Sequence, residues 1–273
     1  MSSKKQIEHK AQLSYLILWM SISIMTVISI ALLLDVKYKH SFVLLGLNIA
    51  GGTASTLGII AIIRYGFSGL HGKSYLSLTI GIILWFLADL LVYYYFILGV
   101  KELIDISIID LLYFIGYGFL SLHLFFITKG IQRKINLTHV IIISIITILF
   151  VFYIITNLLV SEFDINDNFI SIVVSLMYPI LDLILIAPSA IILISLRNDY
   201  QQSIPWFLSS LSLFINAIAD DGYVIDFISS NSENLWVWEL FYFVDFIIMS
   251  AALFWYNKFH ISNNNRSIRL TKQ

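Results

Sequence analysis
The sequence predicts an all-α membrane protein, with eight transmembrane helices arranged as two parallel four-helix repeats. Four observations predict it. Apolar residues fill 59% of 273 positions and charged residues only 12%, against about half and about a quarter in a soluble domain. The apolar excess forms continuous runs of roughly 20 residues, the helical length that crosses ~30 Å of hydrocarbon. Basic residues gather on alternate connections, and two stretches of the chain resemble each other. A β-barrel would need apolar and polar residues to alternate, which these runs do not do.

The runs are taken in chain order. MSSKKQIEHK is polar and basic, and the apolar run that follows, 11–34, is too long for a signal-peptide core and lacks a small-x-small cleavage site. It is read as a retained first helix. The eight spans are placed at 12–34, 42–64, 76–99, 106–128, 138–160, 170–196, 204–227 and 236–257. Their least defined boundaries are 100–106 and 228–236. The sixth span is the longest and contains Pro179 and Pro188, so a tilt or kink is expected there. In the second span Gly46, Ala50, Ala54 and Gly58 recur at every fourth position. Such a ladder lets helices approach closely, within the bundle or, alternatively, in a homodimer. The tail 259–273 is polar and basic and is expected to be disordered.

Lysine and arginine set the expected orientation. With the N-terminus inside, 13 of the 16 basic residues face the cytoplasm, and only Lys37, Lys39 and Lys101 lie outside. The outer connections are acidic instead, with Asp35, Glu102, Asp105, Glu162, Asp164, Asp167 and Glu233. Both termini are therefore expected in the cytoplasm and the protein in the cell membrane. The sequons at Asn136 and Asn265 fall on the inner side and carry no weight as glycosylation sites.

The repeat rests on the third, fourth, seventh and eighth spans. Ala88-Asp89 aligns with Ala219-Asp220 at an offset of 131, and Asp110-x-x-Tyr113 aligns with Glu239-x-x-Tyr242 at an offset of 129. The two-residue difference falls in a loop, where length changes are tolerated. The repeats are set at 1–134 and 135–258. Four helices per repeat give both the same orientation.

Intramembrane charges are rare and costly, and here all of them are acidic. Helical spacing groups them with tyrosines and an asparagine. Trp85, Asp89 and Tyr93 step by four. Asp110, Tyr113 and Tyr117 share one side, as do Glu239, Tyr242 and Asp245. Asn216 and Asp220 step by four beside Asp221, and Tyr178 and Asp182 flank Pro179. These residues are expected to converge in the outer half of the bundle as a ligand or ion site. Two readings stand side by side. The acids are interhelical glue, worth ~0.6 kcal/mol per hydrogen bond, or they bind a proton, a cation or a small polar ligand. His123, alone and deep in the fourth span, reads as a satisfied core histidine.

Other chemistry finds no support. There is no cysteine, and no zinc-protease, nucleophile-elbow or phosphate-loop motif. No catalytic residue, metal or cofactor is expected, and the near-neutral charge of −1 makes nucleic acid an unexpected partner. The expected partners are the lipid bilayer and either a separate signalling protein or a second copy.

The residues Trp85, Ala88, Asp89, Tyr94, Ser107, Asp110, Tyr113, Gly116 and Tyr117 resemble a pattern in polytopic membrane modules of archaea and bacteria. Some of those modules precede histidine kinases or diguanylate cyclases. Tyr178-Pro179-x-x-Asp182 and Ala219-Asp220-Asp221-Gly222-Tyr223 look like the second-half motifs. The resemblance implies membrane sensing or signal input without an output domain of the chain's own. A proton- or cation-coupled secondary transporter is the alternative, and an intramembrane enzyme using Asp182 and Asp220 a weaker one.

Overall fold
A computed structural model describes residues 3–99, 107–131, 135–162, 169–197, 200–228 and 235–260. The boundary segments 100–106 and 229–234, the acidic connection 163–168 and the tail from 261 onward lie outside the described residues. The described residues form eight α-helices and no strand: α1 Ser3–Leu33, α2 Val36–Tyr65, α3 Gly69–Ile97, α4 Ile108–Ile131, α5 Leu137–Glu162, α6 Phe169–Leu196, α7 Tyr200–Ile228 and α8 Leu235–Trp255. A π-helical turn, Tyr256–His260, extends α8.

Seven of these helices are long and apolar enough to cross a membrane, which marks the chain as an integral, multi-pass membrane protein. The exception among the eight helices is α7. This helix has 29 residues, so length is not the reason. It carries Ser209, Ser210, Ser212, Asn216 and Asp221, all buried. Those side chains lower its hydropathy and are turned toward protein, where partners replace water.

The helices close into a ring. In order around it, α2 packs on α3, α3 on α4, α4 on α6, α6 on α7, α7 on α8 and α8 back on α2. α1 lies outside against α8 and α2, and α5 outside against α6 and α7. The outer faces of these two helices are apolar and exposed: Tyr15, Trp19, Ile22 and Met25 on α1, and Ile145, Ile146, Leu149 and Phe152 on α5. That pattern suits contact with lipid tails, which offer no water to exclude.

The small-residue ladder of α2 serves the bundle. A Cβ added at Gly46 would collide with the ring of Phe243 on α8, and one at Gly58 would press into Thr79 on α3. Ala50 and Ala54 are buried between them. α6 is assigned as one helix from end to end despite Pro179 and Pro188. The backbone break lies in α7 instead, where Ser203 leaves helical geometry (φ −111°, ψ 18°) two residues before Pro205, whose ring crowds the preceding turn.

Candidate functional site
Acids of α3, α4, α6 and α7 meet tyrosines on neighbouring helices inside the ring. Asp89, one turn beyond Trp85, accepts a hydrogen bond from the Tyr113 hydroxyl of α4 at 2.6 Å. Asp220 accepts one from the Tyr242 hydroxyl of α8 at 2.5 Å. Tyr178 of α6 donates to Asp110 of α4 at 2.8 Å. Asp110 also caps the start of its own helix, accepting from the Ser107 amide at 3.0 Å and the Ser107 hydroxyl at 2.9 Å. A carboxylate near a helix N-terminus answers the unpaired amides there.

Tyr117 is the centre of the arrangement. Its hydroxyl bonds Asp182 of α6 at 2.7 Å and also bonds Asp220 of α7. The side chain is 1% exposed. The Trp85 ring meets it edge-on, with centroids 5.1 Å apart, and the Trp85 indole N–H donates to the Tyr113 carbonyl at 3.2 Å. A backbone glycine makes this possible, because a Cβ at Gly116 would overlap the Trp85 indole. The carboxyls of Asp182 and Asp220 therefore meet at one hydroxyl.

Next to this centre, Asp245 of α8 accepts from the Asn216 amide at 2.5 Å, and Ser212 donates to its backbone carbonyl at 3.0 Å. Asp221 is buried, and among the described residues no hydroxyl, amide or basic group donates to either of its carboxyl oxygens. The same holds for Oδ2 of Asp182. No lysine or arginine pairs with any of these acids among the described residues. The described residues also hold no group of three or more His, Asp or Glu side chains arranged for a metal ion.

The twelve expected site residues therefore divide. Asp89, Tyr113, Asp182, Asp220 and Tyr242 gather with Tyr117; Asp110 pairs with Tyr178, and Asn216 with Asp245. Glu239 stands apart, bonded to His40 of α2 at 2.6 Å. Tyr93 packs against the core and is not bonded to these acids. Asp221 is next to the centre in sequence and is buried without a donor.

Sequence reasoning passed over His40, because its partner Glu239 lies 199 residues away in the chain. It also passed over Asp226, which accepts the Trp238 indole N–H at 2.6 Å. His123 is bonded on both ring nitrogens, with Ser74 Oγ at 2.8 Å and Ser209 Oγ at 3.2 Å. That agrees with a satisfied core histidine. The serine stripe of α7 that supplies Ser209 and Ser212 was legible as spacing, but serines on an apolar helix do not name their partners.

Comparison of the chain with family models, with curated proteins and with solved structures gives no match.

Proposed function
We propose that this protein is a proton-responsive membrane module whose tyrosine–carboxylate centre holds and releases a proton, and that it passes the change to a separate signalling partner. One observation carries the proposal. The Tyr117 hydroxyl has a single hydrogen but contacts two carboxyls. It donates to one, so the other contact is a hydrogen bond only when that carboxyl brings a proton of its own. Two carboxyls meeting at one hydroxyl, with no lysine or arginine paired to either among the described residues, share protons as one unit. The centre is built from α4, α6 and α7 and touches α3 and α8. Gain or loss of its proton therefore changes bonds among five helices at once, which is what a bistable switch requires.

The reading includes eight spans, both termini in the cytoplasm, and a duplicated chain. The offsets of 131 and 129 pair Asp89 with Asp220 and Tyr113 with Tyr242. Each of these tyrosines donates to its own half's aspartate. The same offsets pair Trp85 with Asn216 and Gly116 with Asp245. In one half the tryptophan packs over the glycine, and in the other the asparagine donates to the aspartate. Asp110 and Glu239 each bond a side chain on the next helix of the ring, Tyr178 on α6 and His40 on α2. The resemblance to sensor modules supports the signalling half of the proposal.

The test is infrared difference spectroscopy of the protein in nanodiscs, read with Trp85 emission taken as the difference from a Trp85→Phe variant, since the chain holds six tryptophans. A carboxyl C=O band that changes across roughly pH 4 to 9, and that Asp182→Asn and Asp220→Asn both abolish, is expected. A spectrum and a Trp85 emission that stay constant over that range refute the proposal. A second reading, a proton- or cation-coupled carrier, is favoured by Asp221, buried with no donor. It predicts a liposome flux lost in Asp89→Asn and Asp220→Asn; equal flux in both variants eliminates those acids as carriers of the coupling ion.

A further inference from the structure
The polar side of α7 continues past the centre toward the bundle end where α3 and α7 begin. Ser209, Ser212, Asn216 and Asp220 step by three, four and four along one face. Neighbours at this spacing stand about 5–6 Å apart. Ser209 and Ser212 are 0% exposed and Asn216 is 5% exposed. Each step is bonded to a side chain or carbonyl of α4 or α8. Ser209 meets His123 of α4, Ser212 and Asn216 meet Asp245 of α8, and Asp220 meets Tyr117 and Tyr242. Beyond Ser209, His123 reaches Ser74 of α3 at 2.8 Å. The result is a buried row of polar groups one helical turn apart, about 16 Å long at 1.5 Å per residue, through otherwise apolar packing.

We propose that this row is the proton path to the centre, with His123 as its relay and the bundle end near Ser74 as its entrance. The chemistry fits. A hydroxyl both donates and accepts, and a histidine with partners on both ring nitrogens takes a proton on one side and yields it on the other. Gaps of one helical turn are spanned by a single bridging water. Two buried polar atoms beside the row, Ser210 Oγ and Asn216 Oδ1, have no protein partner and would hold such waters. The titratable groups facing the relay are few. Tyr75 of α3 meets the His123 ring edge-on, with centroids 5.9 Å apart, and the α7 side contributes only serines. At the far end Asp182 shares the Tyr117 hydroxyl with Asp220, Asp221 is its neighbour in the chain, and Asp245 of α8 and Asp89 of α3 are held by Asn216 and Tyr113.

The path rests on the proton-responsive reading, and its test separates the two. Protons are released by a laser flash from a caged compound into nanodisc-held protein, and the rise of the carboxyl band is timed. Ser209→Ala and Ser212→Ala are expected to slow the rise by about tenfold while leaving its final amplitude unchanged. Ser209→Thr and Ser212→Thr keep the hydroxyl and are expected to keep the rate, which also separates a broken path from a damaged fold. A wild-type protein with no band change overturns the functional reading and the path together. A wild-type band that rises normally, with both alanine variants within about twofold of its rate, overturns the path alone.

Discussion

Tyr117→Phe removes one oxygen and keeps the ring. The ring is 1% exposed and packs edge-on against Trp85, so the apolar contacts survive and the hydroxyl's contribution is isolated. That hydroxyl makes two hydrogen bonds, to Asp182 and Asp220. Interhelical hydrogen bonds in membranes average ~0.6 kcal/mol and reach ~1.7 kcal/mol. Two of them, both to carboxyls, put the expected loss at about 1–3 kcal/mol. Tyr113→Phe is the internal control, because it removes a single bond, to Asp89, and is expected to cost about 0.6–1.7 kcal/mol. Reversible unfolding in bicelles measures both. A cycle pairing Tyr117→Phe with Asp182→Asn should show non-additivity of ~0.5 kcal/mol or more, because the two residues share a bond. A Tyr117→Phe variant no less stable than Tyr113→Phe, with an additive cycle, refutes the placement of Tyr117 between the two acids.

Three further predictions follow from packing and pairing. Gly116→Ala pushes a methyl into the Trp85 indole and is expected to cost about 1–3 kcal/mol, with a shift in tryptophan emission; an unchanged spectrum contradicts it. Gly46→Ala meets the Phe243 ring, whereas Gly118→Ala, two residues from Gly116, meets nothing within 4 Å. The first is expected to destabilise by about 1–3 kcal/mol and the second to be neutral or slightly stabilising through helix propensity, as thermal unfolding in detergent would show. Asn216→Leu strips the amide donor from a buried Asp245 and is expected to cost about 1–3 kcal/mol, partly restored by Asp245→Asn in the same chain; absence of any restoration would deny the pair.

How far the site was legible depends on the kind of contact. Within one helix, spacing alone put Asp89 a turn from Trp85 and Asp220 a turn from Asn216, since residues four apart share a face. The alignment of Asp89 with Asp220 and Tyr113 with Tyr242 also pointed to equivalent neighbours. Nothing in the chain said that Tyr117 would bridge two acids from α6 and α7, because its partners are 65 and 103 residues away. The Glu239–His40 pair, separated by 199 residues, was hidden for the same reason. The apparent kinship of all the acids as one cluster was too simple: Glu239 belongs to the α2–α8 seam.

The sequence by itself determined the class of the molecule. Runs of apolar residues long enough to cross hydrocarbon leave the backbone no solution but helices, since each peptide group must be bonded within its own segment. It also determined which residues are costly to bury, and therefore where chemistry or glue had to be. The tertiary structure decided the order of helices in the ring, the rescue of a polar α7 by protein neighbours, and the partner of every acid. Those outcomes depend on side chains from distant segments meeting at 2.5–3.2 Å. Local spacing carries no information about such meetings, and only the closed packing of the six ring helices fixes them.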